Sequence, residues 1–211
     1  MDPTPSVPAP SLFSLKGKNV LLTGGTRGIG AACAIALAEA GASVCLVQRI
    51  SSEGAPPNHE TLNAIRALGA VAQVVYCDLD DMEAVKGLFQ MALDVMGGQI
   101  HILVNCAGIQ RRSPSLHFSE SDWDDVINVN LKSVWLLCQA AGRHMVPLRR
   151  GKIINFCSLL TFQGGLTVPA YASAKGAVGQ LTKALSNEWS QHNVQVNAIC
   201  PGYIATDMWV F

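Results

Sequence analysis

Tyr171 and Lys175 stand four residues apart in the run Ala170-Tyr171-Ala172-Ser173-Ala174-Lys175, and Ser158 lies thirteen residues upstream of the tyrosine. On a helix, positions i and i+4 share a face, so the lysine ammonium sits beside the phenol. A nearby cation favours phenolate and pulls the phenol below its ordinary pKa of about 10. A phenol tuned toward neutrality is a general acid/base. Ser158 ends an apolar strand and could hydrogen-bond an oxygen on which charge develops. Against this stands a plain helix surface that happens to carry a Tyr and a Lys, because Tyr-x-x-x-Lys alone is common. The elements around the three residues decide between the two.

Those elements alternate. Apolar, β-branched runs predict strands near 18–23, 43–48, 71–76, 100–105, 151–157 and 194–199, with helices near 28–40, 58–68, 81–96, 119–144 and 170–192 between them. The helix from 119 opens with Ser119 or Ser121 as cap and Glu120, Asp122, Asp124 and Asp125 in its first turns. Six strands with intervening helices predict an α/β fold, a doubly wound parallel sheet with right-handed crossovers. Composition agrees. Hydrophobic residues make up 49% but aromatics only 6%, and charged residues 14%, against about 25% in typical soluble chains. Small aliphatic side chains suit a sheet covered on both faces. Ligands of such sheets bind beyond the carboxyl ends of the strands, and Thr23, Asp78, Asn105, Ser158 and Pro201-Gly202 all fall there.

Thr23-Gly24-Gly25-Thr26-Arg27-Gly28-Ile29-Gly30 follows the first strand and opens the first long helix. Glycines there allow a tight turn and close backbone approach to a pyrophosphate, which the helix N-terminus attracts. At the end of the second strand, an acidic residue would bind the adenosine ribose and an arginine would accept a 2′-phosphate. Gln48 and Arg49 stand there, with Arg27 in the turn. Two guanidiniums and no carboxylate favour NADP over NAD. Asp78-Leu79, after the third strand, is placed to meet the adenine ring, or else simply caps the next helix.

In order, spacing and context, the chain resembles a classical short-chain dehydrogenase/reductase over nearly all of residues 15–211. The resemblance rests on the Thr23–Gly30 turn, Asn105-Cys106-Ala107-Gly108 where Asn-Asn-Ala-Gly is usual, Asn130, Ser158, Tyr171-x-x-x-Lys175 and Pro201-Gly202. It implies a nicotinamide oxidoreductase. Tyr171 is then the proton donor or acceptor, Ser158 orients the carbonyl, and Lys175 lowers the phenol pKa and binds the nicotinamide ribose. Asn130 holds a water of the proton relay. Asn105, Ala107 and Gly108 line the cofactor cleft, and Pro201, Gly202, Ile204 and Thr206 hold the carboxamide end. Cys106 is a departure that tunes the cleft. Gln110-Arg111-Arg112, the Phe118–Asp125 stretch and Ser158–Gly165 resemble 2-deoxy-gluconate and 2-dehydro-3-deoxy-gluconate dehydrogenases, a branch that is usually NAD-linked. Arg111 or Arg112 could pair a substrate carboxylate, and Gln163 could bind sugar hydroxyls; surface roles are as natural for all three. 3-Oxoacyl thioesters or small ketones are the alternative substrates.

The same resemblance marks what lies beyond. Family members continue past Trp209-Val210-Phe211 into a substrate-covering lid and a last strand, so the sequence reads as a six-stranded, C-terminally incomplete member. A catalytically silent dinucleotide-binding isoform is the other reading. Family tetramers rest on the helices at 119–144 and 170–192, and the small face Ala170, Ala174, Ala177 would let helices pack closely, so a homo-oligomer, dimer or tetramer, is expected.

Other functions find little support. Formal net charge is zero, with no basic stripe for nucleic acid or an anionic membrane. No apolar run approaches the roughly 18 residues of a bilayer span. Residues 1–11 hold four prolines and no basic or apolar signal region, and read as a disordered or extended leader to a catalytic domain over 12–211. Seven scattered cysteines without Cys-x-x-Cys read as reduced thiols of a cytoplasmic protein, with no metal site.

Overall fold

In β1 (Asn19–Thr23), Val20 and Leu22 point into one apolar layer and Leu21 into the other, and all three are fully buried. A strand buried on both faces needs helices on both. The computed structural model describes residues 9–50 and 57–206 and shows how the chain supplies them. A single helical turn, α1 (Ala9–Leu12), precedes β1. The extended leader expected over 1–11 therefore gives way to helix at residue 9, and its residues 1–8 lie outside the described residues. From β1 the chain runs through α2 (Gly28–Glu39), β2 (Ser43–Gln48), α3 (Glu60–Ala67), β3 (Ala72–Tyr76), α4 (Met82–Val95) and β4 (Ile102–Asn105). It continues through α5 (Glu120–Ile127), α6 (Ser133–Met145), β5 (Gly151–Phe156), α7 (Pro169–Trp189) and β6 (Val194–Ile199).

All six strands are parallel, in the order β3-β2-β1-β4-β5-β6. One layer packs α2 and α3 on Val20, Leu22, Val44 and Leu46, and the other packs α4, α6 and α7 on Leu21, Leu103 and Ile153. The winding reverses between β1 and β4, whose last residues, Thr23 and Asn105, are register partners. Such a reversal opens a crevice at the carboxyl ends of the strands. β3 and β6 are the two edge strands, and Asn197, Ala198 and Ile199 on β6 are exposed.

The sequence predicts one helix over 119–144, and the structure breaks it. Ser119 caps α5 by accepting from the Asp122 N–H at 3.1 Å, but a π-helical turn at Asn128–Lys132 separates α5 from α6. A π turn admits an extra residue into the helix, and such turns are frequent at functional sites. Here it buries Asn130 completely. The small face of α7 differs as well: Ala170 and Ala174 are fully buried against Val126 and Val168, so they pack within the chain and are not free for another copy.

A buried polar chain ties the sheet to α7. Asn105 Nδ2 donates to Asn155 Oδ1 at 2.9 Å, Asn155 Nδ2 donates to Thr182 Oγ1 at 3.0 Å, and Thr182 Oγ1 donates to the Val178 carbonyl at 2.8 Å. Buried groups deprived of a partner carry their full desolvation cost. Asn155→Ala removes the oxygen acceptor of one buried amide and the amide donor to one buried hydroxyl, so urea unfolding is expected to show a loss of about 2 kcal/mol. An unchanged midpoint would show that the chain contributes nothing to stability.

Candidate active site

Gly24 turns the chain out of β1 at φ +71°, and a Cβ on it would stand 2.6 Å from the Ala107 Cα. Only glycine lets the β1 turn lie this close to the segment after β4. The contact is pinned by Thr23, whose Oγ1 accepts from the Ala107 N–H at 3.2 Å. Gly28, at φ +54°, starts α2, and a Cβ there would meet the Thr206 side chain at 3.3 Å. The run from Pro201 through Gly202 and Ile204 to Thr206 thus returns from β6 to the glycine turn. The α2 N-cap, Arg27, is extended and makes no side-chain cap to the first N–H groups of the helix. Thr26, Ile29 and Gly30 complete this turn.

Farther along the crevice, Gln48 is buried with its Oε1 unpartnered, while Arg49 beyond it is exposed. The Cys77 N–H donates to the Gln48 carbonyl at 3.0 Å, which brings Asp78 beside Arg49. Asp78 does not cap α4. Its carboxylate accepts from the Asp80 N–H at 3.1 Å, and Asp81 caps the helix through the Glu83 and Ala84 N–H groups. Leu79 packs against the core. Asn105 is 2% exposed and donates to Asn155. Its Nδ2 braces the floor of the cleft, while its Oδ1 is buried without a partner. Cys106 is partly buried among apolar neighbours, and this burial pushes its thiol up to about 12.

Ser158, Tyr171 and Lys175 come together at the end of β5. Ser158 caps a short 3-10 turn, Leu159–Thr161, and its Oγ accepts from the Leu160 N–H at 3.2 Å. Pro169 starts α7, where its missing N–H costs nothing, and α7 brings the buried Tyr171 phenol back toward the Ser158 hydroxyl. Lys175 is 4% exposed; its Nζ donates to the Phe156 carbonyl at 2.5 Å and lies 5.7 Å from the Tyr171 ring centre. Burial holds the Lys175 ammonium below the ordinary lysine range. It also raises the phenol of Tyr171, outweighing the Ser158 hydrogen bond that lowers it. The phenol lowered by its lysine neighbour, expected from the i, i+4 spacing, is therefore not found in the free protein. The ammonium is turned to a carbonyl, and desolvation of the phenol dominates. Asn130 is aimed at the same place from the π turn. Its Oδ1 accepts from the Ile109 N–H and its Nδ2 donates to the Ile109 carbonyl, both at 2.8 Å. That clamp sets Gly108 close to both Asn130 and Lys175.

Residues 18–210 match the family model described as short chain dehydrogenase. The chain belongs to the short-chain dehydrogenase family. The 2-dehydro-3-deoxy-D-gluconate 5-dehydrogenase of Pseudoalteromonas atlantica is 47% identical to this dehydrogenase over 197 residues, covering 92% of this chain and 75% of that protein. The crystal structure of a gluconate 5-dehydrogenase from Burkholderia cenocepacia, in complex with NADP and tartrate, superposes with a TM-score of 0.84 at 37% identity, covering 95% of this chain and 76% of that one. A 3-oxoacyl (acyl-carrier-protein) reductase from Agrobacterium tumefaciens with NADP bound superposes at 0.87 with 30% identity, covering 94% and 75%.

One side chain of this dehydrogenase has partners that the sequence reading did not name. Arg111 is held by α5, its Nε 3.2 Å from Asp122 and its Nη2 3.2 Å from Asp125. It pairs with carboxylates of its own chain, where the sequence suggested a substrate carboxylate; Gln163 is exposed on the segment before α7. Thr161 was missed. Its Oγ1 accepts from the Ser158 N–H at 3.2 Å and donates to the Lys175 carbonyl at 3.0 Å, and its methyl fits the notch left by Gly179. One hydroxyl thus fixes Ser158 against the helix turn that carries Lys175. The Ser158-x-x-Thr161 spacing, a capping box with a hydroxyl in place of the usual Glu or Gln, was its signal. Thr161→Val keeps the shape and deletes the bridge. It is expected to lower kcat by about tenfold or more, as a misplacement near 1 Å would, with Thr161→Ser restoring it. Equal kcat in all three proteins would remove Thr161 from the site.

Proposed function

We propose that this dehydrogenase interconverts a ketone and a secondary alcohol of a sugar acid with NADP(H) as the second substrate. The gathering of Ser158, Tyr171 and Lys175, all buried at the end of β5 with the Lys175 Nζ 5.7 Å from the Tyr171 ring centre, carries this reading. The pocket fits a dinucleotide: the glycine turn leaves backbone room, α2 offers uncapped N–H groups, and the orphaned Gln48 oxygen faces no carboxylate rival at the end of β2. Thr23, Gly24, Thr26, Arg27, Gly28, Ile29 and Gly30 would hold its pyrophosphate and Arg49 its 2′-phosphate. Asp78 and Leu79 would flank the adenine, and Ala107, Gly108, Pro201, Gly202, Ile204 and Thr206 the nicotinamide half. Bound there, the nicotinamide supplies or accepts the hydride.

The chain's own residues do the rest. Tyr171 gives its phenolic proton to the carbonyl oxygen during reduction and takes it back in oxidation. Ser158 donates a hydrogen bond to that oxygen as charge grows on it. Lys175 holds the ribose hydroxyls and stabilises the phenolate left behind, and Asn130 fixes the wall beside it. Gln163, exposed on the segment before α7, would meet substrate hydroxyls. The names of the Pseudoalteromonas and Burkholderia relatives support a sugar acid, and the Agrobacterium reductase keeps 3-oxoacyl thioesters as the competing class. Association with further copies belongs to the same reading, supported by Trp123 and Trp135, each more than a third exposed on the outer side of α5 and α6.

Steady-state rates with keto sugar acids and with 3-oxoacyl thioesters, each with NADPH and NADH, test the proposal. NADPH with a keto sugar acid is expected to be preferred. Tyr171→Phe is expected to lose roughly 10²–10⁴-fold in kcat while keeping its NADPH affinity. Because burial raises the phenol, it stays protonated through neutral pH. Reduction kcat/KM should therefore hold through neutral pH and fall in the alkaline range, where the Lys175 ammonium, lowered by burial, and then the phenol lose their protons. Unchanged turnover in Tyr171→Phe would sink the mechanism. NADPH binding with no turnover of either class would favour a silent dinucleotide-binding module.

A further inference from the structure

Beyond the crevice, the ends of β5 and β6 bring two cysteines side by side. Phe156 pairs with Ile199 in the parallel ladder, and the Cys157 N–H continues it by donating to the Ile199 carbonyl at 2.8 Å. The next residues on the two strands are Cys157 and Cys200. Both sit on the same face of the sheet, where Cys200 packs against the cluster that contains Cys157. Neighbouring strands lie about 4.8 Å apart, inside the roughly 4.4–6.8 Å range of Cα separations that disulfides span.

The pair is reachable. A cavity of about 580 Å³ opens between α7 and β6, with Cys157, Cys200 and Thr161 among its walls and Gln180, Lys183 and Asn187 giving it a polar, cationic side. Among the other described cysteines, Cys45, Cys77 and Cys138 are buried and none lines this cavity. We propose that Cys157 and Cys200 form a dithiol modification site that a small anionic disulfide closes into a cross-link.

The exchange balances without a further reactant. Cys200, the more exposed of the two, loses its proton to water and attacks one sulfur of the disulfide. That S–S bond breaks, and one thiolate leaves and is protonated. The Cys157 thiolate then attacks the Cys200 sulfur of the mixed disulfide and expels the second thiol. Two electrons pass from the cysteines to the oxidant, which ends as two thiols.

The consequence for turnover rests on the proposed function. Ser158 follows Cys157 and Pro201 follows Cys200, so the cross-link joins the two strand ends that carry the catalytic serine and the nicotinamide segment. It also acts beside Thr161, which lines the same cavity and bridges Ser158 to the Lys175 carbonyl.

The test is to incubate the full chain with oxidised glutathione, quench with acid, alkylate the free thiols and map peptides by mass. The expected product is a Cys157–Cys200 linked peptide with loss of two hydrogens, restored by dithiothreitol, with NADPH affinity or turnover lost and regained in step. Cys200→Ser should give no linked peptide, and leave Cys157 free to be alkylated after denaturation. Glutathione left on Cys200 without a link, or equal alkylation of both cysteines before and after oxidation, would overturn the proposal. So would a link that changes neither binding nor turnover. The peptide map reads the same whether or not sugar acids prove to be substrates, so the two readings fail separately.

Discussion

A lysine side chain closed off from water is the constraint on which the rest of the site depends. An ammonium in a dry interior needs hydrogen-bond partners or gives up its proton, and Lys175 has the Phe156 carbonyl at 2.5 Å. That carbonyl is available because β5 ends at Phe156 and its last ladder contact to β6 uses the Cys157 N–H. α7 must therefore arrive over the end of β5 in one register. Pro169 at its start, Ala170 and Ala174 against Val126, and Thr182 bonded to Asn155 fix that register at three levels along the helix. With Lys175 placed, Tyr171 follows one turn earlier, and Thr161 ties Ser158 to the same stretch of backbone.

The other wall of the crevice is set by backbone proximity. Gly24 and Ala107 are so close that no side chain fits between the two loops, and Thr23 fastens them. The Asn130 clamp on Ile109 then decides how far the post-β4 loop stands from Lys175. The crevice is thus framed by short polar contacts from buried residues, with few charges: the ion pairs of Arg111 lie on its outer edge, where solvent weakens them.

Much of this was legible in the sequence. Strand positions followed from β-branched runs such as Ser43–Gln48, because burial on both faces leaves no polar interruption, and their observed bounds fall within two residues of expectation. The gathering of Thr23, Ser158 and Pro201 at one edge followed from strand direction alone. What the pattern did not show depends on three-dimensional neighbours. The π turn around Asn130 leaves the 3.6-residue periodicity of 119–144 almost untouched, since its cause is a clamp onto Ile109, twenty-one positions away. Arg111 read as a ligand-binding cation because Asp122 and Asp125 reach it only once α5 folds back. The phenol of Tyr171 read as lowered because i, i+4 spacing reports proximity to Lys175 and is silent on burial, which decides the direction. Asn155 stood in plain view as a polar residue in an apolar strand, and its register opposite Asn105 gives it its role.

Titration of the Lys175 side chain by NMR, in the free protein and with NADPH, tests the assembled site most directly. The buried ammonium is predicted to titrate below the ordinary lysine value of about 10.4 in the free protein and to shift when NADPH brings the ribose hydroxyls to it. A Lys175 that titrates like a surface lysine and ignores NADPH would contradict the account, because neither its burial behind Tyr171 nor its place in the cofactor cleft could then stand.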